Sequence, residues 1–148
     1  LYRSLKGEVT NDYFSIPIGS GNMVQEGNDL SIITYGMGVH WATEIAEKIG
    51  DISIEIIDLR SISPWDQALV RLSVEKNGKV IVLTEDCSTG GISAEIAAWI
   101  SEHCFSYLDA PVQRVASLDT PVPFNKELEG NFLAKKRLED TIHELNAF

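Results

Sequence analysis

The sequence predicts a doubly wound α/β sandwich, and three neighbouring stretches predict it. Residues 53–59, S-I-E-I-I-D-L, and 79–84, K-V-I-V-L-T, are short, β-branched, mostly apolar runs of the kind that strands buried on both faces require. Between them, Ser63-Pro64-Trp65-Asp66 reads as a helix start, with Ser63 as N-cap and Pro64 at the first helical position. Buried strand, charged exit at Asp58-Leu59-Arg60 and capped helix, all within a few residues, form the crossover of a parallel sheet.

The other elements repeat that rhythm. Residues 1–28 have mixed polarity, several glycines and no sustained period, and read as an arm or linker. Within them Ile16-Pro17-Ile18-Gly19 could supply an edge strand, where proline is tolerated. From Asp29 the pattern changes to a domain spanning 29–148. Residues 30–35 read as a strand, followed by Gly36-Met37-Gly38 and a helix over 39–49 whose apolar face is Trp41, Ala42, Ile45, Ala46 and Ile49, with Gly50 as its stop. The helix after Pro64 runs to Asn77 and stops at Gly78. A third helix covers 92–107, residues 112–116 make another strand, and the two prolines in D-T-P-V-P-F (119–124) force an extended chain. Leu138, Ile142 and Leu145 define a last amphipathic helix.

Composition narrows the function. The chain has 148 residues, 44% hydrophobic and 23% charged, which suits one globular domain. A formal charge of −10 argues against a nucleic-acid or anionic-membrane surface. It suits either solubility alone or a basic protein partner. No apolar run approaches the ~20 residues of a membrane span, and no signal-peptide pattern precedes the domain. The start at Leu1 is expected to mark a piece of a longer chain. Cys87 and Cys104 form no disulfide framework, so a reducing compartment is expected. His40, His103 and His143 are scattered, so no transition-metal site is expected.

Three places could carry chemistry. Gly36-Met37-Gly38 sits where a dinucleotide fingerprint would, but Trp41 takes the place of the third glycine, and a tight turn is the plainer role. Ser88-Thr89-Gly90-Gly91 precedes a helix and could cradle an anion, yet Glu85 and Asp86 beside it would repel one. Asp58, Arg60, Glu85 and Asp86 fall at the carboxyl ends of strands, where open α/β sheets place ligands, and Arg60 could simply neutralise the carboxylates. Neither a nucleophile nor a suitably placed histidine accompanies them. A free-standing ligand-sensing module using the Gly36 and Gly90 edge is the reading from a different class.

Five segments, in order over nearly the whole chain, resemble one family. They are V-Q-E-G-N-D-L-S-I-I-T-Y-G-M-G-V-H (24–40), E-I-I-D-L-R-S-I-S-P-W-D (55–66), T-G-G-I-S-A-E-I (89–96), L-D-A-P-V-Q-R-V (108–115) and D-T-P-V-P-F (119–124). They look like the C-terminal domain of the β subunit of thiamine-diphosphate-dependent 2-oxo acid dehydrogenases, a transketolase C-terminal fold. L-Y-R near the start, P-W-D at 64–66 and Glu102-His103-Cys104-Phe105 look most like the branched-chain, 2-oxoisovalerate type. Pyruvate-type relatives share most of the pattern, and the matching domain of a transketolase or deoxyxylulose-phosphate synthase is the more distant alternative.

The resemblance implies a three-layer α/β/α sandwich around a mostly parallel, mixed five-stranded sheet. It implies that residues 1–28 join this domain to a thiamine-binding domain upstream, and that thiamine diphosphate and Mg²⁺ are held there. No catalytic, cofactor or metal residue is then expected in this chain, which alone would be inactive. The complete oxidoreductase, a dimer or heterotetramer in the bacterial cytoplasm or mitochondrial matrix, decarboxylates a 2-oxo acid and passes the acyl group to the lipoyl arm of a dihydrolipoyl acyltransferase. Family docking of that partner uses an acidic residue in the L-D/E-A-P turn and the carboxylate of the chain end. The matching positions are Asp109 and Phe148. Asp58, Arg60 and Glu85 are left as a sheet-edge ion pair or subunit contact. Two departures, Thr84-Glu85 where the family has His-Glu and Phe124 where many relatives carry His or Tyr, weigh against this domain reaching into the catalytic pocket.

Overall fold

Period-two alternation along the inner strands divides the core in two. The computed structural model describes residues 6–8 and 10–148, so the L-Y-R motif lies outside the described residues. In β2 (Leu30–Thr34), β3 (Ile54–Asp58) and β4 (Val80–Cys87), the side chains of Leu30, Ile32, Ile54, Ile56, Ile81 and Leu83 pack into one cluster. Ile33, Ile57, Val80 and Val82 pack into the other. Helices α1 (Met37–Ile49) and α5 (Lys135–Asn146) close the first cluster with Trp41, Ala42, Ile45, Leu138, Ile142 and Leu145. Helices α2 (Gln67–Asn77) and α3 (Ile92–His103) close the second with Val70, Val74, Ile96 and Ile100. Each fully buried Ile or Leu contributes about 1.5–3 kcal/mol of burial. The expected three-layer sandwich is therefore present.

The sheet has five strands in the order β1-β3-β2-β4-β5, with β5 at Gln113–Ser117. β2, β3, β4 and β5 run parallel, and only β1 (Asn22–Gln25) is antiparallel, against β3. Gly50 and Gly78 end α1 and α2 in the left-handed conformation, as their positions lead one to expect.

Several expectations need correction. The edge strand is Asn22–Gln25 and not Ile16-Pro17-Ile18-Gly19, whose isoleucines are exposed. The sheet thus takes its edge from within the stretch read as an arm. Helix α2 begins at Gln67, because Asp66 and not Ser63 is its cap: the Asp66 carboxylate accepts from the Leu69 amide at 3.0 Å and from the Gly21 amide at 3.0 Å. One side chain thereby starts the helix and pins the incoming chain. The Ser63–Pro64 peptide, upstream of that start, is cis. The third helix ends at His103, followed by a 3-10 turn at Phe105–Tyr107. A short helix α4 (Lys126–Phe132), capped by the Asn125 side chain, lies between the proline segment and α5.

Candidate functional site

In a doubly wound sheet the ligand crevice opens beyond the strand carboxyl ends, where the winding changes direction. Here that point lies between β2 and β4, since β3 flanks β2 on one side and β4 on the other. Glu85, leaving β4, turns its carboxylate to the start of α1, where the Met37 amide donates to it at 3.4 Å. Gly36 makes the tight turn expected of it, with φ of 60°. Asp86 does the same for α3, accepting from the Ile92 amide at 2.9 Å. A β-carbon on Gly91 would lie 2.6 Å from that carboxylate, so the glycine is what lets Asp86 reach the helix end. The phenol of Tyr35 is pushed above its ordinary pKa by burial, then by the Asp86 and Glu85 charges.

The Ser88-Thr89-Gly90-Gly91 loop is satisfied in the same way. Asp119, after β5, accepts from the Thr89 amide at 2.8 Å and the Thr89 hydroxyl at 2.6 Å. The Thr89 hydroxyl, then its amide, hold the Asp119 carboxyl below its ordinary pKa. Because the folded-state value is lowered, the contact stabilises the loop above the ordinary carboxylate range and loses that contribution as pH falls through the lowered value. Thr89→Val is expected to return the Asp119 pKa toward the ordinary range, read by NMR titration of its carboxyl. An Asp119 titration unchanged by the substitution would remove the hydroxyl as the cause.

Of the other residues singled out at this edge, Asp58 accepts from the Arg60 backbone amide at 3.0 Å. Arg60 itself is exposed, in the left-handed region with φ of 57°. Among the described residues no ion pair joins Asp58, Arg60 and Glu85, so charge neutralisation by Arg60 is not what the geometry shows. A chain-local reason is visible: Asp58 folds back on its own turn, and Glu85 is drawn to α1. The starts of α1, α2 and α3 each hold a carboxylate of this chain, Glu85, Asp66 and Asp86. A diphosphate would meet those charges instead of free amides, so these residues do not fit thiamine diphosphate. Among the described residues no three His, Cys, Asp or Glu side chains group as metal ligands. No described helix is long and apolar enough to cross a membrane. Both cysteines are free, and burial raises the Cys104 thiol pKa.

Asp109 and Phe148 lie at the opposite end of the sheet. The Asp109 amide donates to the Gly78 carbonyl at 2.9 Å, and its carboxylate packs on the Gly78 α-carbon at the C-terminal end of α2. The next residue, Lys79, donates to the Asn146 carbonyl at 3.2 Å, which brings the end of α5 to the same place. Phe148 is exposed beside it. Sequence reasoning missed one feature of this half of the molecule, the buried carboxylate of Glu55, which is bonded to Ser73 and Lys76 of α2. Its signal was a lone glutamate inside an apolar strand.

The fold and these two ends define a doubly wound α/β domain in which its own carboxylates occupy the starts of α1, α2 and α3 at the ligand edge, while Asp109 is exposed at the other end. The family profile for the transketolase C-terminal domain matches residues 19–137, and the chain belongs to that family. It is 40% identical over 151 aligned residues to the 2-oxoisovalerate dehydrogenase subunit beta of Bacillus subtilis (strain 168), covering 99% of this chain and 46% of that protein. It is 45% identical over 126 residues to the mitochondrial 2-oxoisovalerate dehydrogenase subunit beta of Dictyostelium discoideum, covering 83% and 34%. The pyruvate dehydrogenase E1 component subunit beta of Mycoplasma pneumoniae is 38% identical, covering 98% and 45%. A solved structure described as a split gene transketolase, inactive beta4 tetramer, superposes with a TM-score of 0.77 at 24% identity, covering 95% of this chain and 46% of that one. The chain spans about half the length of the curated relatives it matches.

Proposed function

We propose that this chain is the assembly and partner-docking domain of the β component of a thiamine-diphosphate-dependent 2-oxo acid dehydrogenase of the branched-chain type. The observation that carries the reading is the 40% identity to the Bacillus subtilis β subunit over 99% of this chain. The cofactor and Mg²⁺ supply the decarboxylation chemistry from other parts of the complete enzyme. This domain contributes subunit contacts, with Asp58, Arg60 and Glu85 at the carboxyl edge facing the upstream thiamine-binding domain or a neighbouring subunit in a dimer or heterotetramer. The compartment is the bacterial cytoplasm or the mitochondrial matrix. Titrating the purified chain with thiamine diphosphate and Mg²⁺ is expected to give no saturable tight binding, and a tight isotherm would contradict the assignment. Comparing 2-oxoisovalerate with pyruvate on the assembled enzyme tests the branched-chain part, and a preference for pyruvate would move the chain to the second relative type.

The docking half rests on Asp109 and Phe148, which share one end of the sheet. A basic subunit-binding module of a dihydrolipoyl acyltransferase would meet the Asp109 carboxylate as a charge-assisted pair, beside Phe148. Asp109→Ala, or removal of Phe148, is expected to weaken that binding about tenfold each, about 1.4 kcal/mol. If both changes leave a pull-down with the module unaltered, the docking assignment is wrong.

A further inference from the structure

Beside Asp109 the surface opens into an apolar groove of about 600 Å³, between the outer face of α3 and the loop entering β5. Ala98, Phe105, Leu108, Pro111 and Val112 form most of its wall, and Phe105 is 76% exposed. Asp109 is the single ionisable side chain among the groove residues. Its carboxylate sits at the C-terminal end of α2, where the helix dipole is negative and a cation is the favoured neighbour. Among the described residues no basic side chain pairs with it. Lys79, adjacent to the glycine it packs on, is turned to the Asn146 carbonyl.

We infer that this groove is the apolar half of the docking site, taking a leucine, isoleucine or methionine from a helix of the partner whose Lys or Arg, one turn away, meets Asp109. This rests on the docking reading above and adds to it a non-electrostatic anchor. Two observations select a basic partner over a second copy of this chain. The groove offers an unpaired carboxylate at its rim, and a second copy would bring another net charge of −10 toward it. The combination also matches helix-in-groove recognition, in which apolar side chains spaced by one helical turn occupy a preformed trough. Affinity in such interfaces concentrates in the desolvated anchor, whereas a rim charge governs salt dependence and encounter rate.

The two contributions separate experimentally. The probe is the subunit-binding module of the dihydrolipoyl acyltransferase, titrated calorimetrically into the assembled enzyme at two salt concentrations. Ala98 lies on the solvent side of α3, so Ala98→Phe fills the groove without touching the core. It is expected to weaken binding at least tenfold while leaving the slope of log Kd against log salt unchanged. Ser101→Phe, from the next turn, is the second variant should the first lower the Tm. Asp109→Asn, in contrast, is expected to flatten the salt slope. Affinity within twofold for both groove variants overturns the apolar anchor while leaving the docking reading intact. No binding by the unaltered enzyme overturns the docking reading and the anchor with it. A sedimentation shift to smaller species in Ala98→Phe gives the groove to a second copy and likewise overturns the inference.

Discussion

Gly27→Ala is expected to lower the stability of the chain by about 3 kcal/mol, a fall in Tm of roughly 10 °C for a domain of this size. Gly27 is buried in the connection between β1 and β2, flat against the peptide joining Ile54 to Glu55. A β-carbon there would lie 2.5 Å from the Ile54 carbonyl oxygen and closer still to the Ile54 carbonyl carbon and Glu55 nitrogen. Carbon atoms in good contact stand ~3.5–4.0 Å apart. The obstructing atoms are main chain of β3, held between β1 and β2, and no rotamer change can relieve the overlap. The connection itself is also fixed, with the Asn28 and Asp29 amides donating to the Ser53 carbonyl at 3.0 and 2.8 Å and the Asp29 carboxylate accepting from the Ser53 amide. The methyl group therefore has to displace β1 from the sheet. Gly130→Ala is the control. Nothing lies within 4 Å of a β-carbon at Gly130 in α4, and the change should be neutral or slightly stabilising. Equal melting temperatures for the Gly27 variant and the control would disprove the close approach.

The contrast between β1 and the inner strands shows what the sequence could and could not disclose. β2, β3 and β4 are buried on both faces over most of their length, so their residues form continuous apolar runs that few other structures accommodate. β1 reads N-M-V-Q, pairs on one side only and is half-exposed, so burial imposes no clear pattern on it. The more apolar Ile16 and Ile18 nearby drew attention because apolar content and sheet membership are separate properties. The start of α2 failed for a different reason. Ser63-Pro64 and Asp66 are both acceptable helix openings by local preference, and the choice is made by the tertiary bond from Asp66 to the Gly21 amide. Helix α4 was missed because only Phe132 of its residues is buried.

At the candidate site, residue types were legible and their targets were not. Glu85 and Asp86 stood out as carboxylates at strand ends, and the sequence allowed them to be ligands, repellents or partners of Arg60. Only the fold brings them within reach of the first amides of α1 and α3. Asp119 was placed in an extended proline segment, with nothing to connect it to Thr89, 30 residues away in the chain. Asp109 and Phe148 were named by the resemblance and not by the residue pattern, and what the structure adds is the bond from the Asp109 amide to the Gly78 carbonyl and that from Lys79 to the Asn146 carbonyl.

Lys76→Met is expected to destabilise the chain by about 2 kcal/mol, and most of that cost should vanish when Glu55 is removed as well. Glu55 is 1% exposed on β3. One carboxylate oxygen accepts from Ser73 at 2.5 Å and the other from Lys76 at 2.5 Å. The Ser73 and Ser31 hydroxyls are 2.7 Å apart. Ser73 has one proton and gives it to the carboxylate, so Ser31 must donate to Ser73, and the Asn77 side chain in turn donates to Ser31 at 2.8 Å. The chain of donors is thus oriented by the charge at its end. Removing one partner of a buried pair costs about 3–5 kcal/mol because the remaining charge is uncompensated. Here the figure is smaller, since Lys76 is 41% exposed and water can approach from its side. Glu55→Leu alone leaves a lysine free to turn to solvent, so its cost, about 1–2 kcal/mol, comes from the serine hydroxyls that lose their acceptor. The pair Glu55→Leu with Lys76→Met should then be no less stable than Glu55→Leu by more than about 0.5 kcal/mol, and the double-mutant cycle in urea should give a coupling of at least about 1 kcal/mol. Additive single costs would mean that Ser73 and water, and not Lys76, hold the Glu55 charge.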